Sequence, residues 1–300
     1  MPITTRIYKA PDDLQAVLDL LQAVRDVPNI VDMQELLDMP TMQAQTRLWE
    51  DADGRLLGFA LVDPYHNLIF EVRPEAAALV SDMVAWGETC IRREMAETGE
   101  EFTLDASCRA ADTTRIAWLE NHGFVQQEMR SLHLVRPLNE PIPEPRLPAG
   151  FVIRPTTEAE AEAHVALHRA AFGSGFMTLE QRLATLRLPE YDPTLDLVVV
   201  APDGTLAAYC TCSISAEENA LNGRADGYTD PVATHPAYQR RGLARALLLT
   251  GMRLLRDRGM DFAVMGTSSE NVAMQKTAES VGFRVVSENV WFAKAVDGRR

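Results

Sequence analysis

Gly227–Leu249, GYTDPVATHPAYQRRGLARALLL, is the stretch whose reading decides the fold. Tyr228, Val232 and Thr234 give it a β start, and Pro231 sits where a strand can bulge or bend. His235-Pro236 opens a turn. Leu243, Ala246, Leu247 and Leu249, continued by Leu254 and Leu255, then carry the apolar spacing of a helix. Between strand and helix lies Gln239-Arg240-Arg241-Gly242-Leu243-Ala244. A helix beginning there points its first amides outward, at the positive end of its dipole, which suits a phosphate or diphosphate. Gly242 lets an anion approach the backbone closely, since no Cβ intervenes. Arginines at a helix start oppose the dipole unless an anion joins them, although a solvated cluster of charge is the simpler alternative.

These residues resemble the GNAT family of N-acetyltransferases. Gln239–Ala244 matches that family's Q/R-x-x-G-x-G/A signature, and Val232-Ala233-Thr234-His235-Pro236 resembles its approach to the loop. Asn271–Phe283, NVAMQKTAESVGF, resembles a second motif, N-x-x-A-x-x-x-Y-x-x-x-G-F, with Met274 for the alanine and Ala278 for the tyrosine. The resemblance implies the fold class: α/β (α+β), a bent, mostly antiparallel mixed sheet flanked by helices, with acetyl-CoA as co-substrate where two central strands splay. It implies that Val232, Ala233 and Thr234 border the pantetheine arm. Gln239, Arg240, Arg241, Gly242, Leu243, Ala244 and Arg245 are expected at the diphosphate, and Asn271 either at the pantetheine or capping its own helix. Asp230 stands where many relatives carry a basic glutamate. It is expected to take the proton of an attacking amine or, in the plainer reading, to anchor the strand bend. With Ala278 in the tyrosine position, the residue that protonates the leaving thiolate is unassigned; Tyr228 and Tyr238 are more readily structural.

Outward from the loop, the chain reads twice. Gly54-Arg55-Leu56 corresponds to Gly204-Thr205-Leu206, Pro74 to Pro236, and Gly123-Phe124 to Gly282-Phe283. In the first half a helix opens at Pro11-Asp12-Asp13 with the stripe Leu14, Val17, Leu18 and Leu21. Strands follow at 46–49, 56–62 and 67–72, then a helix over 74–98, a strand at 102–105, a helix over 112–122 and strands over 124–135. Arg136–Gly150, RPLNEPIPEPRLPAG, then forbids helix and central strand by its prolines and reads as a semi-rigid connector, a loop inside one domain being the alternative. The second half begins with a strand at Phe151-Val152-Ile153. Helices follow over 158–172 and 179–188, then a hairpin of 195–201 and 206–213 about Pro202-Asp203-Gly204. The expected organisation is a divergent duplication: a degenerate domain over 1–140, a linker over 141–149, and a working domain over 150–300. The first half's loop position, Arg73–Leu79, has neither glycine nor arginine pair, and Glu75 would repel a diphosphate.

Composition narrows the classes. Three hundred residues with 46% hydrophobic and 24% charged suit two globular domains. A net charge of −14 argues against nucleic acid and fits a small amine substrate, though solubility alone explains acidity. The opening MPITTRIYKAPDDL has no apolar core and no run is long enough for a bilayer, so a cytoplasmic protein without a membrane partner is expected. Cys210 and Cys212 would share a strand face as reduced thiols, with no further ligands for a metal. His164 and His168 have helical i, i+4 spacing but lack the acidic residue of a zinc protease, so a surface or packing role is expected. Oligomeric state is left open. The expectation is an acetyl-CoA-dependent N-acetyltransferase acting in its C-terminal half; the alternative is a non-catalytic acyl-CoA-binding sensor or regulatory protein.

Overall fold

The computed structural model describes residues 3–24, 30–173, 177–188 and 190–297. It divides into two compact units, Met1–Arg130 with Glu288–Arg300, and Ser131–Ser287.

In the first unit, β1 (Thr4–Ile7), α1 (Leu14–Val24), α2 (Ile30–Asp38) and α3 (Pro40–Ala44) precede an antiparallel meander of β2 (Thr46–Glu50), β3 (Leu56–Val62) and β4 (Leu68–Val72). The sheet runs β1-β2-β3-β4. All of β3 is buried, as expected of a central strand whose LLGFALV offers no polar residue to either face. A 3₁₀ turn at Pro74–Leu79 leads into α4 (Val80–Thr98), which ends on Gly99 in the left-handed conformation. The single helix expected over 74–98 is thus a 3₁₀ turn followed by an α-helix, and the turn is itself kinked where Ala76 leaves helical φ/ψ. β5 (Thr103–Arg109) and α5 (Thr113–Asn121) follow.

β6 (Val125–Pro137) carries the chain into the second unit, where β7 (Val152–Pro155), α6 (Ala161–Phe172) and α7 (Leu179–Thr185) come next. The hairpin of β8 (Asp196–Val200) and β9 (Leu206–Thr211) is followed by α8 (Ala216–Asn222), β10 (Asp226–Tyr228) and β11 (Val232–Thr234). α9 (Leu243–Asp257), β12 (Phe262–Ser268) and α10 (Val272–Ser280) complete the pattern before β13 (Arg284–Ala295). One sheet runs β11-β9-β8-β7. The core lies between it and α9, whose Leu247, Leu248, Leu249, Met252 and Leu255 are fully buried. Gly251 lets that helix come close: a Cβ there would stand 2.5 Å from the Cys212 sulfur.

The duplication read from the sequence holds at the level of register. Gly58 pairs with Val72 and Phe59 with Glu71, as Ala208 pairs with Thr234 and Tyr209 with Ala233. Thr4 pairs with Glu50 and Val152 with Val200, and the ladder is irregular at Trp49/Glu50 in one unit and at Val199/Val200 in the other.

Two features depart from the order of the sequence. The last strand of each unit comes from elsewhere in the chain. Asn289–Ala295 of β13 pairs antiparallel with β5 in the first unit, and Ser131–Pro137 of β6 pairs antiparallel with β12 in the second. The proline segment is also no free connector. Leu138 and Ile142 are buried in the second unit's core, Arg136 donates to the carbonyls of Val281 and Pro141, and Arg253 binds Ile142 O and Glu144. Apolar residues set between the prolines bury what polyproline stiffness alone would leave in water. Among the described residues, no helix is long and apolar enough to cross a membrane.

Candidate active site

The strand expected from Tyr228 to Thr234 is broken, and the break makes the site. β10 pairs in parallel with the start of β12, Asp226 opposite Phe262 and Tyr228 opposite Val264. β11 pairs instead with β9. Thr229, fully buried, still donates its N–H to Val264 O, and at Asp230-Pro231 the backbone turns away from β12. Thr211 donates to Pro231 O and His235 to Ala207 O, which fixes the antiparallel alternation between them. Ala233 therefore turns both its main-chain groups to Tyr209, while Val232 and Thr234 turn theirs to the gap where β12 has left. This corrects the reading of Ala233: its backbone is engaged by the sheet and its side chain is buried.

Asp230 stands at the fork. Its Oδ2 accepts the Gly266 N–H of β12 at 3.0 Å, so the carboxylate bridges the strands as they separate. Burial raises its pKa above the ordinary aspartate value, and the amides of Gly266 and of Asp230 itself only partly offset this. Gly227 and Thr229 face α9: a Cβ on Gly227 would meet Leu255, and Thr229 lies beside Gly251. By strand alternation Tyr228 and Asp230 point to the opposite face. There the Tyr228 hydroxyl donates to Glu218 at 2.8 Å, and Asn219 holds α8 against β10 through two bonds to the Asp226 backbone. Nothing in the residue pattern flagged α8 beforehand, because seven polar-rich residues carry too little periodicity.

Beyond β11 the turn His235–Gln239 leads into the loop. Arg240 and Gly242 both have positive φ, 62° and 77°, and Gly242 is the N-cap residue of α9 without any side-chain cap. Left-handed residues next to helical ones align successive N–H groups into a concave nest. The amides of Arg240 through Arg245 donate to no other group among the described residues. A Cβ added to Gly242 would have no atom within 4 Å, so the space over the nest is open. Arg240, Arg241 and Arg245 have no carboxylate in ion-pair distance among the described residues, while the Leu243 side chain is sunk in the core and contributes only its amide. The Gln239 N–H reaches back to Pro236 O at 3.4 Å. An open nest with cations at its rim suits a diphosphate.

Residues 161–283 match the model of the Acetyltransferase (GNAT) family. The second unit thus carries a GNAT acetyltransferase domain. Among its relatives is a mycothiol acetyltransferase of Thermobispora bispora, 28% identical over 94% of this chain and 96% of the relative. Among solved structures, a GCN5-related N-acetyltransferase from Sphaerobacter thermophilus superposes with a TM-score of 0.77 at 22% identity, covering 98% of this chain and 96% of that one. A tandem GNAT protein from the clavulanic acid biosynthesis pathway superposes with a TM-score of 0.75 at 19% identity over the whole of both chains. GNAT acetyltransferases use acetyl-CoA, and the open nest, with the main-chain edge of Val232 and Thr234 running into it, fits the diphosphate and the amide-bearing arm of that molecule.

The remaining residues sort themselves on this GNAT frame. Asn271 caps α10, its side chain accepting from Met274 N at 3.1 Å. Ala278 is fully buried in the core, so the helix face that carries a tyrosine in many relatives packs inward here. The Tyr238 hydroxyl is bonded to Asp203. Cys210 and Cys212 are buried free thiols with sulfurs 3.6 Å apart, and the contact with Cys212 together with burial pushes Cys210 well above the usual thiol range. His164 packs its ring on Tyr209 at 4.3 Å with neither nitrogen bonded, and burial lowers its pKa to about 4. His168 binds the Tyr209 hydroxyl at 2.6 Å. No group of His, Cys, Asp or Glu among the described residues has the makings of a metal site.

Proposed function

We propose that the second unit transfers the acetyl group of acetyl-CoA to a primary amine on a small molecule, with Asp230 as the base. The observation that carries this is the undonated run of amides from Arg240 to Arg245, which lies beyond a strand fork holding a carboxylate of raised pKa. Val232 and Thr234 bind the pantetheine amides as an added strand would. Asn271 completes the cofactor edge with the amide nitrogen that its cap bond leaves over. The amine attacks the thioester carbonyl, the C–N bond forms, and the C–S bond breaks. Asp230 accepts the ammonium proton, directly or through one water. The leaving thiolate takes its proton from solvent, which its pKa near the thiol value of about 8.5 permits without a dedicated acid. The small-molecule class is supported by relatives named for mycothiol acetylation, and an amine of that kind is the first substrate to try. The chain as a whole is proposed to work in the cytoplasm, its first unit as scaffold.

The test is calorimetric binding of acetyl-CoA together with turnover on primary amines, desacetylated mycothiol among them. Wild type is expected to bind and turn over, and Gly242→Glu to lose both while staying folded, its melting temperature lowered only by the few degrees that about 1–2 kcal/mol of left-handed strain implies. Tight binding with no turnover on any amine would favour the acyl-CoA sensor, and retained affinity in Gly242→Glu would end the loop assignment.

A further inference from the structure

We propose that Arg241, held by the rings of Phe151 and Tyr238, reads the ribose 3′-phosphate of CoA and so selects CoA thioesters over their dephospho forms. This rests on the cofactor reading above and adds a specificity determinant to it. CoA presents two kinds of phosphate, a diphosphate and a separate monoester. The peptide nest answers the first with a row of N–H groups, whereas a monoester calls for a guanidinium held in place with its N–H fork open.

The arginine side chains of the loop are unusual in this molecule. The sequence holds 43 acidic residues, and Arg253, Arg256 and Arg258, further along the same helix, each pair with a carboxylate. Arg240, Arg241 and Arg245 pair with none among the described residues. Of these, Arg241 is the one whose guanidinium is clamped. It lies 5.5 Å from the Tyr238 ring centre and 5.9 Å from that of Phe151, and the two rings meet edge to face at 6.0 Å. Tyr238 is fixed in turn by its hydroxyl bond to Asp203, and Phe151 packs against the core.

Rings and carboxylates hold an arginine differently. A carboxylate would fix the guanidinium and cancel its charge. Aromatic faces restrain it while leaving its charge and its N–H fork open to a phosphate. That is preorganisation for a doubly charged monoester, which a planar fork binds through two hydrogen bonds. The first unit has no such arrangement, since the turn before its helix is Ala76-Ala77-Ala78.

The experiment is isothermal titration of the full chain with acetyl-CoA and with 3′-dephospho-acetyl-CoA. Wild type is expected to bind acetyl-CoA about tenfold or more tighter, the scale of one charge-assisted contact. Arg241→Gln is expected to lose that advantage, with weakened acetyl-CoA and unchanged dephospho affinity. Phe151→Leu is expected to lose part of it while staying folded, its melting temperature lowered by the core and ring contacts it gives up. Equal affinity of wild type for the two ligands, or an Arg241→Gln that weakens both alike, overturns the proposal. Gly242→Glu run in parallel separates the two levels. If it loses both ligands while Arg241→Gln discriminates as wild type does, the loop reading stands and this one falls.

Discussion

The two units share a register and differ in what occupies the gap beside the turning strand. In the second unit no hydrogen bond outside its own strand pair reaches the main chain of Val232 among the described residues. In the first, Phe70 holds the place of Val232, and its carbonyl accepts a hydrogen bond from Arg115 at 2.8 Å. The same guanidinium binds the buried Glu71 carboxylate at 2.6 Å and lies over the Phe70 ring at 4.6 Å. Arg115 sits on α5 where Met274 sits on α10. An arginine side chain thus satisfies, from inside, the strand edge that a cofactor arm would satisfy from outside. The differences continue along the loop: Leu68 stands for Asp230, and Leu79, right-handed at φ −72°, stands at the helix N-cap where Gly242 is left-handed. A duplicated fold keeps its ladders and caps because both copies need them to fold. The nest and the carboxylate at the fork are found in the second unit, and the first has neither.

That contrast can be broken most sharply at Asp230. Asp230→Asn is expected to lower kcat about a thousandfold with little change in acetyl-CoA affinity, the range of a lost general base. In wild type the acid limb of the kcat/KM profile should fall above the ordinary aspartate range, because protonation silences a base whose pKa burial has raised. An unchanged kcat would leave the carboxylate a bend anchor like any other buried polar group. Arg115→Met copies the second unit's residue into the first. It removes the guanidinium from the buried Glu71 carboxylate, and unfolding should become easier by up to about 3–5 kcal/mol. Calorimetry should still count one acetyl-CoA per chain, since no nest has been built; two per chain in wild type would end the asymmetry.

A third test concerns pH. The folded pKa of His164, about 4, lies below the free-histidine value, so the unfolded chain binds the proton first as pH falls. Stability from this group is complete above about pH 6.5 and is lost toward pH 4, by up to about 3 kcal/mol for a shift of that size. His164→Phe should flatten that part of the urea-midpoint profile; an unaltered slope would mean the ring is charged when folded. The smallest effect is the sharpest comparison. Asp112 and Asn271 cap their helices alike, accepting from Arg115 N at 2.9 Å and Met274 N at 3.1 Å. Alanine at either should cost about 1 kcal/mol of stability. Only Asn271→Ala is expected to raise the KM for acetyl-CoA as well.

What could be read beforehand follows from how local each signal is. Gly242, the arginines and the apolar stripe of α9 lie within one short run of chain, and the hairpins at Gly54 and Gly204 specify themselves. The repeat was legible because its glycines and prolines mark turns, which residue type dictates. The fork at Asp230-Pro231 was visible only as a proline that could bend a strand; which sheet each half joins depends on partners far away in sequence. The strand exchange was out of reach for the same reason, since residues 125–137 and 284–295 alternate alike and either could follow its own α-helix home. Arg115 drew no notice because an arginine on a helix looks solvated until its burial is seen.

The exchange of final strands has a consequence for synthesis. The first unit's β5 waits for residues 289–295, so that half cannot complete its pairing until those residues have left the ribosome, whereas everything the second unit needs has emerged by then. A gene fragment starting at Gly150 would leave β12 without residues 131–137, its edge bare and prone to pair with other copies. Neither fragment of a chain cut at Gly150 would therefore hold the whole of its own sheet.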